Sequence, residues 1–493
     1  MKKILVTLFF GAFITLSAAE CPSTDHHEAS LETISIPDQH LTIQGKSIPY
    51  EVRAGALTVH GTNENDTASM DYIAYFGAGK DRPIAFCFNG GPGSSSIWLH
   101  MGLLGPKVVD LPYPSQQEIH PSYSDNPNSL LAVTDLVFID PVGTGFSRAA
   151  QQAKENSFFG VEEDLFSVAD FIRLFLSTFQ RWNSPKFLIG ESYGTFRAGG
   201  LSKLLQEKFL IDVNGIAMIS CILDFQARDD EILTSLLDLP TMAVTAQYHH
   251  KLQSPLSDLP PPALFDKVGE FAIHEYAPAL LLGDALPPAD KQKIASQLST
   301  YTSLPAEFIA NHNLRISFPL FRSELLGGEC VGFYDSRLAA PRLLQDRSST
   351  LDHSFYAISS AFASALESYL TKELKWNPTG NYIFMNRACG AVWDFGKMAS
   401  QCGERVSVIR DLSDAMLNNR NLSLFVAGGY YDFATPFFAQ EYTVNQLLLP
   451  ESRRKSVTVK GYKGGHMMYL EKPSREALCQ DLSTFITHAA TAH

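Results

Sequence analysis

A short apolar run followed at once by a glycine-rich turn occurs three times in this chain and constrains its fold more than any other feature. The runs are Ile84 to Phe88, Leu136 to Ile139 and Phe187 to Ile189. Strands that are apolar on both faces are typical of a parallel sheet covered on both sides. Between the runs, residues 160–179 carry apolar side chains at helical spacing. Strands that alternate with helices predict a doubly wound, mostly parallel α/β sheet, with functional groups at the carboxyl ends of its strands.

The pattern changes on either side of this region. Leu41 to Val52 and Ala68 to Phe76 alternate apolar and polar side chains, which predicts an antiparallel pair of strands. From about residue 223 to 344, a proline cluster and helix-like segments replace the alternation of strands and helices. We therefore expect a helical cap inserted at 223–344, between two parts of the core at 20–222 and 345–493.

The N-terminus has the pattern of a secretory signal. Two lysines are followed by the apolar stretch Ile4 to Leu16 and the small residues Ser17-Ala18-Ala19. We expect cleavage after Ala19 and export of the mature protein to the periplasm or beyond the cell. No later run reaches the roughly 18 apolar residues of a transmembrane helix, so the sequence predicts no stable membrane anchor.

Charge and composition exclude several classes of protein. The net charge is −13, and no basic run offers the clustered cations that nucleic acid requires. Seven cysteines are scattered without the CxxC spacing of zinc or redox sites, although Cys389 and Cys402 are close enough to pair. The histidine pairs at 26–27 and 249–250 lack the HExxH spacing of a zinc protease. We expect neither metal nor cofactor.

The sequence Gly-Glu-Ser-Tyr-Gly at 190–194 matches the G-x-S-x-G nucleophile elbow of α/β hydrolases. There, a sharp turn from strand to helix exposes a serine above the sheet. The motif alone is common, but here an apolar strand precedes it and a helical pattern at 195–207 follows it. We predict an α/β-hydrolase fold with Ser192 as the nucleophile.

A serine hydrolase of this kind needs an acid and then a histidine later in the chain. Asp432 follows the strand pattern at 422–427, and His466 follows the pattern at 456–459. His466 would take the proton from Ser192, and Asp432 would orient the imidazole. On order and position alone, a solvated loop aspartate and a surface histidine remain the alternative.

A second glycine-rich loop, Asn-Gly-Gly-Pro-Gly-Ser-Ser-Ser at 89–96, follows the first apolar run. Such hydrolases form their oxyanion hole from one N–H in a loop of this kind and from the N–H after the nucleophile. These groups would be the backbone N–H of Gly91 and of Tyr193. The alternative is an ordinary glycine–proline turn.

Together, these motifs resemble the serine carboxypeptidase family. The resemblance rests on the segments 89–96, Asp-Pro-Val-Gly-Thr-Gly-Phe-Ser at 140–147, the elbow at 190–194, and Gly-His-Met at 465–467. Gly-Tyr-Tyr-Asp at 429–432 and Gly-Gly-His-Met-Met-Tyr-Leu at 464–470 look like the bacterial branch of that family. The resemblance implies an acyl-enzyme on Ser192, peptide substrates, and no cofactor.

The resemblance also implies how substrates are chosen. In this family the asparagine of the first loop and the glutamate before the nucleophile bind the free C-terminal carboxylate of a peptide. The matching residues here are Asn89 and Glu191, with an N–H from Gly90. Two carboxylates can approach only if one is protonated, so Glu191 would have to be neutral. A glutamate that merely braces the elbow is the alternative.

Two departures from the family pattern stand out. Ser94 replaces a cysteine that many eukaryotic members tie into a disulfide. Leu103 stands where those members have a glutamate that partners the one beside the nucleophile. The second departure leaves open an esterase or acyltransferase on the same triad. A non-catalytic binding protein on a hydrolase fold is the remaining alternative.

Overall fold

The computed structural model describes residues 33–114, 122–343, 352–376, 378, 380–396 and 406–491. The predicted signal sequence at 1–19, the histidine pair at 26–27 and Cys402 lie outside these residues. Contacts within the chain define two compact units. One is Ala227–Ala357, and the other joins Ala29–Gln226 to Ile358–His493. All candidate site residues belong to the second unit.

The strands form one large sheet and two small two-stranded sheets among the described residues. In chain order they are β1 (Ile34–Ile43), β2 (Lys46–His60), β3 (Thr67–Gly77), β4 (Ile84–Phe88), β5 (Lys107–Val109), β6 (Tyr123–Asp125), β7 (Asp135–Ile139), β8 (Arg148–Ala149), β9 (Lys186–Glu191), β10 (Gly215–Ile219), β11 (Glu329–Val331), β12 (Ala339–Pro341), β13 (Ser423–Gly429) and β14 (Val457–Tyr462).

The large sheet has ten strands, in the order β1-β2-β3-β7-β4-β9-β10-β13-β14, with β8 paired to β3. From β7 to β14 every neighbouring pair is parallel, whereas β1, β2 and β3 add an antiparallel edge. All residues of β4, β7 and β10 are buried. Their continuous apolar runs therefore reflect a sheet covered on both faces, as the sequence predicts.

The antiparallel edge differs from its sequence prediction at one point. The alternating stretch Leu41 to Val52 is not one strand, because a turn at Gln44 and Gly45 divides it between β1 and β2. Both turn residues have positive φ, 50° and 76°. Glycine adopts this conformation without strain, and the turn folds β2 back against β1.

The longer helices are α1 (Val161–Thr178), α2 (Tyr193–Lys208), α3 (Glu231–Tyr248), α4 (Pro261–Phe271), α5 (Ala277–Leu282), α6 (Pro288–Thr302), α7 (Ala306–Asn311), α8 (Phe318–Glu324), α9 (His353–Ser368), α10 (Arg387–Val392), α11 (Ile409–Asn418), α12 (Phe437–Asn445) and α13 (Lys472–Thr491). Within the described part of the chain, no helix has both the length and the apolar character needed to cross a membrane.

Aromatic side chains fix α1 against the antiparallel edge. The ring of Tyr72 on β3 meets Phe175 edge-to-face, with 5.2 Å between ring centroids, and Phe171 at 5.9 Å. Such tilted contacts between large buried rings contribute strongly to a core. The apolar side chains that recur at helical spacing in residues 160–179 thus form the face by which α1 covers the sheet.

The first unit, Ala227–Ala357, is mainly helical and holds α3 to α8 with the small hairpin of β11 and β12. Tyr276 is buried inside it, and its hydroxyl donates a hydrogen bond to the carbonyl of Leu314. A second internal contact joins the side chains of Thr245 and Ser336 at 2.6 Å. The expected role of this helical region as a cap stays a prediction.

Candidate active site

The chain turns from strand to helix at Ser192. Strand β9 ends at Glu191 and helix α2 begins at Tyr193, so Ser192 alone makes the turn. Its φ and ψ are 59° and −129°, an unfavourable conformation for a residue with a side chain. The backbone N–H of Ser192 donates to the carbonyl of Ile219 at 3.0 Å, which ties the turn to the end of β10. This is the strained geometry of a nucleophile elbow.

Glycines make the turn possible. A Cβ at Gly194 would lie 2.6 Å from the carbonyl oxygen of Phe88 at the end of β4. A Cβ at Gly190 would lie 2.5 Å from the carbonyl carbon of Gly194 and closer still to its oxygen. Any larger residue would therefore separate the helix from the two strands beneath it. The spacing of the G-x-S-x-G motif is explained by these close approaches.

Asp432 and His466 are in direct contact. The Oδ2 atom of Asp432 lies 2.9 Å from Nδ1 of His466, and both side chains are buried. The hydroxyl of Thr435 donates to the same Oδ2 at 2.8 Å, and the backbone N–H groups of Ala434 and Thr435 donate to Oδ1 at 2.8 and 3.1 Å. The carboxylate is thus fixed in orientation towards the imidazole. This contact disfavours the alternative of a solvated aspartate and a surface histidine.

The charge around His466 favours its protonated form. Burial alone would lower the pKa of His466, but the charge and hydrogen bond of Asp432 outweigh it, and Glu191 acts in the same direction. The pKa of His466 is therefore raised above its ordinary value. A more basic imidazole is suited to accept the proton of a serine hydroxyl.

The end of β10 links the serine to the histidine. The carbonyl of Ile219 accepts from the N–H of Ser192, and the hydroxyl of the next residue, Ser220, donates to the carbonyl of His466 at 2.6 Å. Strands β9, β10, β13 and β14 are parallel neighbours, so their carboxyl ends meet at one edge of the sheet. Ser192, Asp432 and His466 all follow strand ends at this edge.

The loop after β4 lies against the start of α2. A Cβ at Gly90 would lie 2.6 Å from the backbone nitrogen of Gly194 and closer still to that of Tyr193. Gly91 has a φ of 104°, which a residue with a side chain rarely adopts. The loop therefore lies beside the N–H groups at the positive end of a helix dipole. The loop after β4 and the start of α2 are the two elements that the sequence predicts to form the oxyanion hole.

Asn89 and Glu191 meet beside the nucleophile. Both are 2% exposed, and the side-chain amide of Asn89 lies close enough to the Glu191 carboxyl to lower its pKa. The Oδ1 atom of Asn89 accepts from the backbone N–H of Leu99 at 3.0 Å, which leaves its NH₂ group to donate. Burial raises the pKa of Glu191 to about 7, although the charge of His466, the hydroxyl of Tyr469 and the amide of Asn89 all lower it. A substantial part of Glu191 is thus neutral at and below neutral pH.

One contact in this site was not predicted from the sequence. The hydroxyl of Tyr469 donates to Oε2 of Glu191 at 2.7 Å. Tyr469 lies within a motif that the sequence singles out, but no periodicity or spacing relates it to residue 191. Leu103, where the eukaryotic family members have a glutamate, is completely buried.

His249, one of the paired histidines that the sequence analysis singled out, has a partner in the backbone. One ring nitrogen of His249 lies 2.7 Å from the carbonyl oxygen of Ser336. Across the residues that the structure describes, no three His, Cys, Asp or Glu side chains gather as a metal would require.

Known proteins match both the sequence and the fold. A family model described as serine carboxypeptidase matches residues 47–242, less than half of the chain. A carboxypeptidase Y homolog A from Talaromyces stipitatus is 33% identical over 26% of this chain and 22% of its own length. A pheromone-processing carboxypeptidase KEX1 from Coprinopsis cinerea is 31% identical over 43% of this chain and 34% of its own length. The chain thus aligns with about a third or less of these relatives' length.

The crystal structure of Kex1(Δ)p, a prohormone-processing carboxypeptidase from Saccharomyces cerevisiae, has a similar fold. The TM-score is 0.54 at 16% identity, over 89% of this chain and 91% of the other. The predicted α/β-hydrolase fold is therefore confirmed. The family match includes Asn89, Glu191 and Ser192 but ends before Asp432 and His466. The comparisons thus show that residues 47–242 are similar to serine carboxypeptidases and that the chain has an α/β-hydrolase fold.

Proposed function

We propose that this protein is a serine carboxypeptidase that removes C-terminal residues from peptides through an acyl-enzyme on Ser192. The observation that carries the proposal is the buried pair of Asn89 and Glu191, of which Glu191 directly precedes the nucleophile. An amide donor beside a neutral carboxylic acid can donate two hydrogen bonds to a carboxylate. Because Glu191 is adjacent to Ser192, a peptide held there by its C-terminus would present its last peptide bond to the nucleophile.

The triad supplies the chemistry in this proposal. His466 takes the proton of Ser192 as the hydroxyl attacks the scissile carbonyl, and it then protonates the departing amine. Asp432 keeps the imidazole in the correct tautomer and stabilises its charged form. The N–H groups of Gly91 and Tyr193 stabilise the oxyanion. Water then hydrolyses the acyl-enzyme by the same steps.

The remaining expectations belong to the same proposal. The motifs at 429–432 and 464–470 support a place in the bacterial branch of the family. The N-terminal pattern at 1–19 supports export to the periplasm or beyond the cell. We also propose that the helical insertion at 223–344 caps the core and shapes the preference for side chains at the cleaved bond.

The proposal is tested by measuring the release of leucine from an N-blocked Phe-Leu dipeptide. The same dipeptide with an amidated C-terminus and the variant Ser192→Ala are the controls. We expect release from the free acid, much less from the amide, and none from the variant. Ser192-dependent turnover of simple esters with no cleavage of either dipeptide would overturn the proposal in favour of an esterase or acyltransferase.

A further inference from the structure

The Glu191 carboxyl has a partner from a distant part of the chain. Tyr469 lies on the short helical turn Met468–Leu470, three residues after His466. Its hydroxyl donates to Oε2 of Glu191 at 2.7 Å, and the Tyr469 side chain has no exposed surface. A hydroxyl group this deeply buried costs free energy unless it has a hydrogen-bond partner. Here the partner is a carboxyl group in the candidate substrate site.

The surrounding residues make room for this tyrosine. A Cβ at Gly102 would lie 2.6 Å from Cε2 of the Tyr469 ring. The ring therefore passes where Gly102 has no side chain. The neighbouring Leu103 is apolar and buried, so it offers Glu191 no polar partner. The phenol thus supplies the hydrogen-bond donor that an apolar residue at 103 cannot.

We propose that Tyr469 is the positioning residue that orients Glu191 for the C-terminal carboxylate of a peptide and so sets the preference for free-acid substrates. This inference rests on the proposed carboxypeptidase function and deepens it. Tyr469 acts through Glu191 and takes no part in bond breaking.

The chemistry of a phenol suits this role. Burial first, and then the adjacent Glu191 carboxyl, raises the pKa of Tyr469 well above 10, so it remains a donor throughout the working pH range. Its bond occupies Oε2 of Glu191, which favours the acid proton on Oε1, from where it can be donated to a substrate carboxylate. A second carboxyl as partner would have to share that proton with Glu191. A tyrosine leaves it available.

Other groups also influence the ionisation of Glu191. His466 and the Asn89 amide lower its pKa, as Tyr469 does, and the charge of Asp432 raises it. Replacing Tyr469 by phenylalanine removes one stabilising donor and leaves the others in place. The pKa of Glu191 should then rise, because the anion loses a hydrogen bond. The neutral acid would also be less well oriented.

The experiment compares two substrates in wild type and Tyr469→Phe between about pH 5 and 9. One is N-blocked Phe-Leu with a free C-terminus, and the other is an N-blocked phenylalanine ethyl ester. The ratio of their kcat/KM values cancels the ionisation of His466, which both substrates require. For Tyr469→Phe we expect the ratio at low pH to fall about 3- to 10-fold, the worth of one hydrogen bond. We also expect this ratio to decline at high pH with a midpoint higher in Tyr469→Phe than in wild type.

Tyr462→Phe is the matched control. The hydroxyl of Tyr462 also donates to a carboxylate, Oδ2 of Asp481 at 2.6 Å, but away from Glu191. We expect this variant to keep the wild-type ratio and midpoint. A purely structural role for Tyr469 would lower both activities together and leave the midpoint unchanged, which would overturn the inference.

A second variant keeps the test valid if Tyr469→Phe does not fold. Gly102→Ala retains the phenol but displaces its ring, and it should lower the ratio in the same way. An unchanged ratio in the folded variant would overturn the inference. The two proposals fail differently. Wild type that releases no leucine would contradict the carboxypeptidase function itself, whereas an unchanged ratio in Tyr469→Phe would contradict only the role of Tyr469.

Discussion

Arg197 on helix α2 donates a hydrogen bond from Nη1 to the backbone carbonyl of Asn89 at 2.7 Å. The same guanidinium contacts both carboxylate oxygens of Asp164 on α1, at 2.8 and 3.1 Å. Arg197 and Asp164 are almost completely buried, at 1% and 3% exposure. A buried ion pair thus fixes the backbone of Asn89, the first residue of the glycine-rich loop at 89–96.

Removing Arg197 alone should destabilise the protein severely. Arg197→Met leaves the Asp164 carboxylate buried without its partner, which costs about 3–5 kcal/mol in the free energy of unfolding. The double variant Arg197→Met/Asp164→Leu should regain most of this loss, because no uncompensated charge remains. Denaturant unfolding measures both. If the double variant were as unstable as the single one, the loss would come from packing rather than from charge.

Gly90→Ala should separate the oxyanion loop from the helix that begins at Tyr193. The added methyl would lie 2.6 Å from the backbone nitrogen of Gly194, so the loop must move. We expect kcat to fall about 100-fold or more, the usual effect of losing one oxyanion donor. Gly328→Ala is the control, since its added Cβ meets nothing within 4 Å. An equal loss in both variants would contradict the role of the loop.

Asp432→Asn should abolish most of the activity without unfolding the chain. Two backbone N–H groups donate to Oδ1, so the carbonyl oxygen of an asparagine would take that place. Its NH₂ group would then face Nδ1 of His466 and favour the wrong tautomer. We expect kcat to fall about 10⁴-fold with little change in the melting temperature. Retention of more than a tenth of the activity would exclude Asp432 as the orienting acid.

The pH dependence of ester hydrolysis should report His466. An ester has no C-terminal carboxylate, so its kcat/KM should rise with pH as His466 loses its proton and then remain constant. Because the pKa of His466 is raised, the midpoint should lie above the ordinary value of about 6.5. Glu191→Gln removes one charge that raises this pKa and should shift the midpoint to lower pH. A shift to higher pH would contradict this electrostatic coupling.

Asp71 on β3 and Asp140, the first residue of the loop at 140–147, form a buried carboxyl pair. Burial raises the pKa of Asp71 well above its ordinary value, and the charge of Asp140 adds to the rise. The folded wild type should therefore lose stability as pH rises through the raised pKa of Asp71. Asp71→Asn lacks this titration, so its stability relative to wild type should increase as pH rises above the ordinary aspartate pKa of about 4. Thermal unfolding measured at a series of pH values checks this. Parallel stability curves for the two proteins would contradict it.

The strands of the parallel part of the sheet could be predicted from the sequence, with their ends placed within about three residues. The predicted strand Ile84 to Phe88 is β4, and the runs at 136–139 and 187–189 lie within β7 and β9. Burial on both faces produces an unbroken apolar run, a signal that depends only on neighbouring residues. The elbow could be predicted for the same reason, because its glycines and serine are adjacent in the chain.

Two features could not be predicted: a turn with only a weak local signal, and a contact between residues far apart in the chain. The turn at Gln44 and Gly45 was missed because alternation is present on both sides of it. The apolar positions change there from odd to even numbers, and a single glycine accompanies this small change of phase. The contact between Tyr469 and Glu191 joins residues 278 positions apart. No local pattern encodes such a pairing, because it arises only when β9 and the loop after β14 meet at one edge of the sheet.

Two consecutive residues, Ile219 at the end of strand β10 and Ser220 directly after it, hold the backbones of Ser192 and His466. Neither residue takes part in the proposed chemistry. Because they are joined by one peptide bond, any shift at this strand end carries serine and histidine in the same direction. Thermal fluctuations of the two reacting groups should therefore be correlated, and the gap that a proton must cross should vary less than the position of either side chain.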